Sequence, residues 1–286
     1  MSLSISVLLC RAHLDMAKLC LPTLAAGCKD AYEGRVYDDG SLRSEDLEEL
    51  GELLPAWTMV TAGESDELVD PLLGSAPACR EFRREHPFGR KLIDIPLLNP
   101  KGYGYADSDV VFVRDFTGLD RAGQMGAGLT YMWDIGDYSS IQFMHRYLTG
   151  TRIRLAERVN AGFMFVGEGT YDLDFVEWFL SQPRYRDQDW AVEQTCWAAM
   201  APRVDAAYFS PSQVIAPPPD HRLPAEAVAV HYVSPLRDRF PPPAEWLSRR
   251  DERGTVHLEV MPASSVPLGR AIALRVRRRL SNPRAR

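Results

Sequence analysis

The sequence predicts an α/β fold, a single Rossmann-like domain with a mainly parallel central sheet flanked by helices. Short apolar runs alternate with helical patterns through the first half of the chain, which is the order that builds βαβ units. The 286 residues are 45% hydrophobic and 25% charged, as in a well-packed globular domain. Acidic residues follow several apolar runs, and the carboxyl ends of the strands are where such sheets bind ligands.

Composition excludes several classes of protein. The formal net charge of -6 argues against a general nucleic-acid binder, because phosphate backbones require a basic surface. No run of about 18 apolar residues exists, so a membrane-spanning helix is not expected. The apolar start lacks a basic region before it and a small-residue cleavage site after it, which favours a buried strand over a signal peptide. Five widely spaced cysteines predict reduced thiols in a cytoplasmic protein.

The first half is predicted as alternating strands and helices. Residues 5–10 form a strand and residues 14–26 an amphipathic helix that ends at Gly27. Residues 35–37 lead into an acidic turn at 38–41, and residues 57–61 and 103–113 are further strands. An acidic helix after the turn takes Ser44 as its N-cap, because Glu45 and Asp46 in its first turn complement the helix dipole.

The second half is less regular. Strands are predicted at 126–133, 160–167 and 228–233, helices at 172–181 and 189–200, and a helix with a lid at 134–159. We divide the chain into a domain at 1–245 and a C-terminal extension at 246–286. Within the domain, 1–115 and 116–245 form two halves. Seven arginines in 269–286 indicate a solvated terminal helix or attachment to an anionic membrane surface or acidic partner.

The aspartate pair Asp107 and Asp109 carries the most chemical information. Two carboxylates in an apolar strand are costly unless a cation compensates their charge. If the backbone stays extended, side-chain alternation places both on the same side. Mn²⁺ or Mg²⁺ would provide the compensation and would bridge the phosphates of a nucleotide diphosphate. The same triplet also occurs in ordinary surface turns, so its interpretation depends on the rest of the sequence.

The segment at 91–98, followed by Tyr105-Ala106-Asp107-Ser108-Asp109, resembles the centre of GT-A-fold glycosyltransferases, especially those akin to glycosyltransferase family 8. In that family a basic residue, here Lys91, and an aliphatic helix precede a Y-L-D-x-D strand. Ala106 stands in place of the usual leucine. The resemblance implies a GT-A fold and a UDP-sugar donor rather than a GDP-sugar, and it leaves the acceptor open between glycan, lipid, protein and small molecule. Residues 1–115 would then be the nucleotide-binding half and residues 116–245 the acceptor-side half. It also implies that Asp109 binds the metal and that Asp107 binds the metal, the donor ribose or both.

Three other segments are similar to the same enzymes. The turn at 38–41 resembles the D-D-G-S turn whose aspartates contact the uracil or ribose, which makes Asp38 and Asp39 donor-binding candidates; an ordinary Asp-Gly turn is the alternative. The N-A-G segment at 160–162 resembles the strand beside the donor sugar and places Asn160 there. The late strand resembles the one whose histidine completes the metal site, here His231 as neutral imidazole. Arg237 would contact the diphosphate where the family carries a lysine.

The segment at 187–195 supplies candidates for the reacting centre, since the acceptor hydroxyl must lose a proton. Asp187-Gln188 matches the D-Q pair of retaining enzymes in this group, and the resemblance slightly favours a retaining transfer. An inverting reaction would instead need a carboxylate base, which Asp189 or Glu193 could supply from one helical face. Stabilisation of the helix N-terminus is the alternative role for each carboxylate.

Other polar and aromatic residues have more than one interpretation. Arg11 and His13, just after the first strand, lie where the resemblance places the donor base. Arg11 is also a candidate phosphate contact, with a surface ion pair as the alternative. Tyr131, Trp133 and Asp134 are candidates for stacking on the acceptor or hydrogen-bonding to it, and a buried core role is the alternative for the aromatic residues.

Three other functions compete with the glycosyltransferase hypothesis. A non-catalytic protein that binds sugar nucleotides or glycans with the same fold is the alternative from a different class. A haloacid-dehalogenase-like phosphatase would use the D-x-D strand but leaves the acidic turn at 38–41 unexplained. A nucleotidyltransferase would carry a Gly-rich phosphate loop after the first strand, and residues 10–13 contain no glycine.

Overall fold

The computed structural model describes residues 3–119, 128–141, 153–186 and 189–264. The strands among these residues are β1 (Leu3–Leu9), β2 (Tyr32–Asp38), β3 (Trp57–Val60), β4 (Gly102–Ala106), β5 (Val110–Phe112), β6 (Phe116–Thr117), β7 (Leu129–Trp133), β8 (Val159–Gly167), β9 (Ala206–Phe209), β10 (Val214–Ile215), β11 (Ala229–His231), β12 (Val256–His257) and β13 (Val260–Pro262). The α-helices are α1 (Leu14–Gly27), α2 (Ser44–Leu53), α3 (Ala62–Val69), α4 (Pro77–Glu85), α5 (Gly89–Leu98), α6 (Leu173–Leu180), α7 (Val192–Met200) and α8 (Ala244–Ser248).

An eight-stranded sheet runs through the molecule in the order β13-β9-β7-β8-β4-β1-β2-β3. Among these described strands, β1 pairs in parallel with β2 and β4, as do β2 with β3 and β7 with β9. The pairs β4·β8, β7·β8 and β9·β13 are antiparallel. The sheet is therefore mixed, with its parallel half built from the N-terminal βαβ units that the sequence predicts.

Helices cover both faces of this sheet, because its central strands are apolar on both sides. In β4, Tyr103 and Tyr105 pack into the cluster that contains α4, α5, α6 and α7, whereas Ala106 packs into the cluster with α1 and α2. In β8 the same alternation sends Met164 one way and Phe163 the other. A second, three-stranded sheet, β10-β11-β5, lies beside the C-terminal end of β4.

Most predicted elements form close to their predicted bounds, with three corrections. The strand predicted at 103–113 is two strands, β4 and β5, separated by a turn in which the Val110 amide donates to the Asp107 carbonyl over 3.2 Å. Arg43, and not Ser44, is the N-cap of α2, and the Asp46 carboxylate accepts from the Arg43 amide over 2.9 Å. The helix predicted at 189–200 begins as a 3-10 turn, Asp189–Ala191, before α7.

Other predictions fall partly on undescribed residues. The described residues between 134 and 158 hold no helix, and 142–152 and the basic tail lie outside the described part of the chain. The segment predicted as a C-terminal extension supplies β12 and β13, which pair with β6 and β9 of the main body. All five cysteines are free thiols. Within the described residues, no helix has both the length and the apolar character needed to cross a membrane.

Candidate metal centre and ligand cavity

Asp107 follows the C-terminal end of β4 and is held in place through one of its two oxygens. Lys91 Nζ lies 3.0 Å from Asp107 Oδ1, and the Tyr105 hydroxyl donates to the same oxygen over 2.7 Å. Lys91 is buried on α5, and its ammonium also lies 4.6 Å from the centroid of the Tyr105 ring. The interactions on Oδ1 fix the carboxylate and leave Oδ2 without a hydrogen bond in the described chain.

Asp109 is buried and is also held through one oxygen. Arg237 donates to Asp109 Oδ2 through Nη2 and Nε, over 2.7 and 3.1 Å. Asp109 Oδ1 lies 3.1 Å from His231 Nε2 but forms no hydrogen bond of acceptable geometry with any described residue. Burial alone would raise the pKa of Asp109, but His231 and Arg237 hold that pKa well below its ordinary value. The carboxylate is therefore ionised with one oxygen available.

His231 ends β11, which pairs antiparallel with β5 and sets His231 opposite Val110. Its Nε2 lies 3.6 Å from Asp107 Oδ2, and one ligand atom each from Asp107, Asp109 and His231 all lie within 4.8 Å of one another. Burial lowers the pKa of His231, but the carboxylates of Asp109 and Asp107 more than offset this, so the net shift is upward. Carboxylate oxygens with one imidazole nitrogen suit a divalent cation such as Mn²⁺.

Gly162, in the N-A-G segment of β8, makes room for this cluster. A Cβ atom at Gly162 would lie 2.1 Å from His231 Cε1, so no other residue fits without moving the imidazole. The Gly162 carbonyl accepts from the Asp107 amide over 2.7 Å. Asn160 Oδ1 accepts from the Gly162 amide over 2.8 Å. The N-A-G segment therefore holds Asp107 at the end of β4 and leaves space for the His231 imidazole beside it.

A cavity of about 660 Å³ opens over this cluster. Its lining includes eight residues that the sequence singles out: Asp39, Lys91, Asp107, Asp109, Asn160, Glu193, His231 and Arg237. These residues come from widely separated strand and helix ends. Their convergence follows from the order of β1, β4, β8 and the neighbouring β5·β11 pair.

Other predicted site residues do not line the cavity. The Arg11 guanidinium pairs with Asp46 over 3.0 Å at the surface, and the Asp38 carboxylate accepts from the amides of Gly40 and Leu42 within its own turn. The Asp189 side chain is 68% exposed, because the 3-10 turn breaks the helical phase that was expected to place it beside Glu193. Asp187 and Gln188 lie outside the described residues.

Glu193 is a buried carboxyl beside Lys91, whose Nζ lies 3.8 Å from Glu193 Oε1. Burial raises the pKa of Glu193 to about 7, against the lowering influence of Lys91 and with a smaller upward contribution from Asp107. A carboxyl with this pKa exchanges its proton near neutral pH, which is what acid–base chemistry on a hydroxyl requires.

The raised pKa of Glu193 predicts a pH dependence of stability. Between pH 4.5 and about 7 the folded protein keeps a proton that the unfolded chain has lost, so stability falls as pH rises through this window and levels off above it. The Glu193→Gln variant has no carboxyl to titrate at this position, so its stability does not fall for this reason as the pH rises. Its free energy of unfolding relative to the parent should therefore increase by up to about 3 kcal/mol across the window, as measured by urea unfolding.

The exposed Glu49→Gln variant is the control for the same chemical change. It should show no comparable drift against the parent protein over this pH range. A stability difference between Glu193→Gln and the parent that stays constant from pH 4.5 to pH 8 would contradict the raised pKa.

Three further residues line the cavity. His13 Nε2 lies 3.0 Å from Arg237 Nη1, and Asp134 is buried and accepts from the Asn160 side-chain amide over 3.1 Å. Their positions after the first strand and after β7 single out His13 and Asp134 in the sequence, whereas Gln194, which follows Glu193 on α7, carries no sequence signal. The pKa of Asp134 is raised, mainly by burial.

Neither aromatic residue predicted to contact an acceptor lines the cavity: Tyr131 takes the core alternative, whereas Trp133 is half-buried. Tyr131 is fully buried, and the Trp133 ring packs against Tyr208 with centroids 4.4 Å apart. The cavity is lined by other aromatic residues, namely Phe88, Tyr105, Tyr138 and Trp190. Tyr131 faces the core on one side of the sheet. Strand periodicity predicts which residues of β7 share a side, but not which side faces the core and which the cavity.

Comparison with solved structures identifies the class of fold. The apo structure of mouse xyloside xylosyltransferase 1 superposes with a TM-score of 0.56 at 13% identity, over 82% of this chain and 99% of that chain. The WbbM bifunctional glycosyltransferase superposes with a TM-score of 0.50 at 9% identity, over 88% of this chain. The alignment covers 52% of WbbM, so this chain spans about half of that protein. No protein-family model and no curated protein matches the sequence.

The chain therefore has the GT-A fold, a mixed α/β architecture with a large central sheet flanked by helices. This confirms the predicted fold class and the resemblance to GT-A glycosyltransferases. Closer membership of glycosyltransferase family 8 stays a prediction. The cluster Asp107, Asp109 and His231 lies in the cavity of that fold, and a divalent ion fits its donor atoms.

Proposed function

We propose that the protein is a metal-dependent glycosyltransferase that moves a sugar from a nucleotide diphosphate, preferentially UDP, to a hydroxyl acceptor. The observation that carries this proposal is the convergence of Asp107, Asp109 and His231 in the cavity of a GT-A fold. Each carboxylate has one anchored oxygen and one oxygen turned to the histidine. This arrangement supports a binding site for one cation. It argues against the alternative that Asp107 and Asp109 belong to an ordinary surface turn.

In this proposal the free carboxylate oxygens and His231 Nε2 hold Mn²⁺ or Mg²⁺. The bound ion would neutralise negative charge that develops on the diphosphate leaving group. Lys91 and Tyr105 orient Asp107, since both occupy Oδ1. The Tyr105 hydroxyl and the Lys91 ammonium thus fix the Asp107 carboxylate without occupying Oδ2, the oxygen proposed to bind the metal.

Arg237 supplies a second positive charge at the same cavity. Its side chain is 35% exposed, so the guanidinium that contacts Asp109 also faces open space. Arginine binds phosphate oxygens through its planar fork of donors. We therefore propose that Arg237 binds the diphosphate of the donor, as the sequence predicts. Asp39, which lines the same cavity, is proposed to bind the nucleoside.

Glu193 is the proposed acid–base residue within the described chain. It lines the cavity, whereas Asp189 lies at the surface. Asp187 and Gln188 stay predictions from the family resemblance, and so does the retaining course of the transfer. Asn160 is proposed to lie beside the donor sugar.

Isothermal titration calorimetry of UDP, GDP and UDP-sugars, with and without Mn²⁺, tests this proposal. We expect UDP and at least one UDP-sugar to bind only when Mn²⁺ is present, together with slow Mn²⁺-dependent hydrolysis of that UDP-sugar. Binding without hydrolysis or transfer would favour the non-catalytic alternative. Absence of nucleotide binding at any metal concentration would contradict both the glycosyltransferase proposal and the non-catalytic sugar-nucleotide binder.

A further inference from the structure

We propose that the cavity mouth contains a subsite for a pyranose ring of a carbohydrate acceptor, formed by Trp190 and Tyr138 with Gln194 and Glu193 beneath them. This inference rests on the proposed function and specifies the acceptor class. The sequence leaves the acceptor open between glycan, lipid, protein and small molecule, and the cavity mouth favours the glycan.

The mouth of the cavity is apolar and accessible. Trp190 is 58% exposed, Ile135 47% and Phe88 37%, and all three side chains line the same cavity. Isolated exposed apolar residues are common, but a cluster of them at the rim of a cavity marks a binding surface. An indole in this position offers a flat apolar face to a ligand that enters from solvent.

The indole is held in place by its surroundings. The Tyr138 and Trp190 ring centroids are 5.6 Å apart with an interplanar angle of 67°, an edge-to-face contact. Trp190 lies in the 3-10 turn Asp189–Ala191, whose first carbonyl is 3.0 Å from His86 Nε2. A ring fixed in this way loses little conformational freedom when a ligand binds to it.

The polar groups beneath the rim lack hydrogen-bond partners within the described chain, although Glu193 Oε1 lies 3.8 Å from the Lys91 ammonium. Gln194 Nε2 and Glu193 Oε1 are buried, and neither has a hydrogen-bond partner among the described residues. Both residues lie three to four positions after Trp190 at the start of α7, and both line the cavity. Buried polar atoms without partners are costly, so a ligand that supplies hydroxyl groups would satisfy them.

A pyranose ring matches this combination of surfaces. Its C–H face packs on an aromatic ring, while its hydroxyl rim donates to and accepts from carboxyl and amide groups. An acyl chain would cover Trp190 but leave Gln194 and Glu193 unsatisfied. The carbohydrate therefore fits the described residues better than a lipid does.

The position of the subsite assigns it to the acceptor. Asp109 and His231 are buried at the floor, where the diphosphate would fix the donor, whereas Trp190 stands exposed at the mouth. A donor seated on the floor leaves the mouth as the route by which the second substrate enters. The acceptor ring would then lie between Trp190 and the donor sugar.

Two-dimensional NMR of ¹⁵N-labelled tryptophan indoles tests the subsite, with the Trp190 resonance assigned from the Trp190→Phe variant. The probes are methyl β-D-glucopyranoside, methyl β-D-galactopyranoside and methyl β-D-xylopyranoside, each added to the protein with UDP and Mn²⁺. N-acetylserine amide and octyl phosphate serve as peptide-like and lipid-like comparators. We expect at least one glycoside to shift the Trp190 resonance, and neither comparator to do so.

Trp190→Ala should weaken binding of the active glycoside by about tenfold or more, as measured by isothermal titration calorimetry in the presence of UDP and Mn²⁺, with thermal unfolding as the check on folding. The control is Trp178→Ala on α6, which removes an indole that is 44% exposed outside the cavity lining and should leave glycoside binding unchanged.

Two results would overturn the subsite: no glycoside shift at any concentration, or a shift with a comparator alone. UDP binding in the presence of Mn²⁺ is measured on the same samples. Intact nucleotide binding with no glycoside response therefore rejects the subsite alone, whereas lost nucleotide binding rejects the proposed function.

Discussion

The Asp109→Asn variant should lose metal-dependent donor turnover by at least about a thousandfold, because stabilisation of a leaving group by a metal is worth several kcal/mol. The amide retains the shape of the side chain but not its charge. It therefore weakens the metal site and also removes the ionic partner of Arg237. The measurement is the initial rate of UDP release from a UDP-sugar over a range of Mn²⁺ concentrations.

Two comparisons separate lost metal binding from lost folding. Asp115→Asn makes the same change at a carboxylate that pairs with Arg250 and Lys29 away from the cavity, and it should retain turnover. Arg237→Gln removes the guanidinium but keeps the carboxylate, so it should retain Mn²⁺ binding while weakening UDP binding. Turnover by Asp109→Asn within a few-fold of the parent would contradict a catalytic metal at this site.

The Gly162→Ala variant should have the second largest effect, although it changes no candidate ligand. The added Cβ would lie 2.1 Å from His231 Cε1, so the imidazole must leave its position. Residues that orient metal ligands typically contribute 10–100-fold to metal affinity, and we expect a loss of about this size for Mn²⁺. Mn²⁺ binding in the presence of UDP is measured by electron paramagnetic resonance.

A double-mutant cycle shows whether Gly162 acts through His231. In a His231→Ala background the clash is gone, so Gly162→Ala should cost almost no further Mn²⁺ affinity. Gly63→Ala on α3, where an added Cβ meets no atom within 4 Å, controls for the general effect of the substitution. Additive losses from the Gly162 and His231 substitutions would refute the proposed steric role.

Much of the metal centre follows from local patterns in the sequence. Asp107 and Asp109 stand at the end of an apolar strand, and His231 ends another, so all were predicted as ligands before their proximity was known. The extended backbone expected between the two aspartates is wrong, because the chain turns between β4 and β5 and this turn brings the carboxylates together. Anchoring of Asp107 Oδ1 by Lys91 and Tyr105 depends on tertiary packing.

The acceptor side was harder to predict for physical reasons. Whether Tyr131 lies in the core or in a cavity depends on the register of β7 against its neighbours, which the sequence pattern does not contain. The position of Asp189 depends on a single 3-10 turn that changes the helical phase before Glu193. Gln194 belongs to no recognisable sequence motif. Only its buried side-chain amide, which has no hydrogen-bond partner among the described residues, identifies it as a candidate ligand contact.

Anomalous diffraction at the manganese edge, from crystals grown with Mn²⁺ and UDP, tests the metal centre most directly. The account predicts one manganese peak in contact with carboxylate oxygens of Asp107 and Asp109, with His231 Nε2, and with oxygens of the diphosphate. Manganese bound elsewhere, with Asp107 Oδ2, Asp109 Oδ1 and His231 Nε2 in contact with no ion, would contradict it.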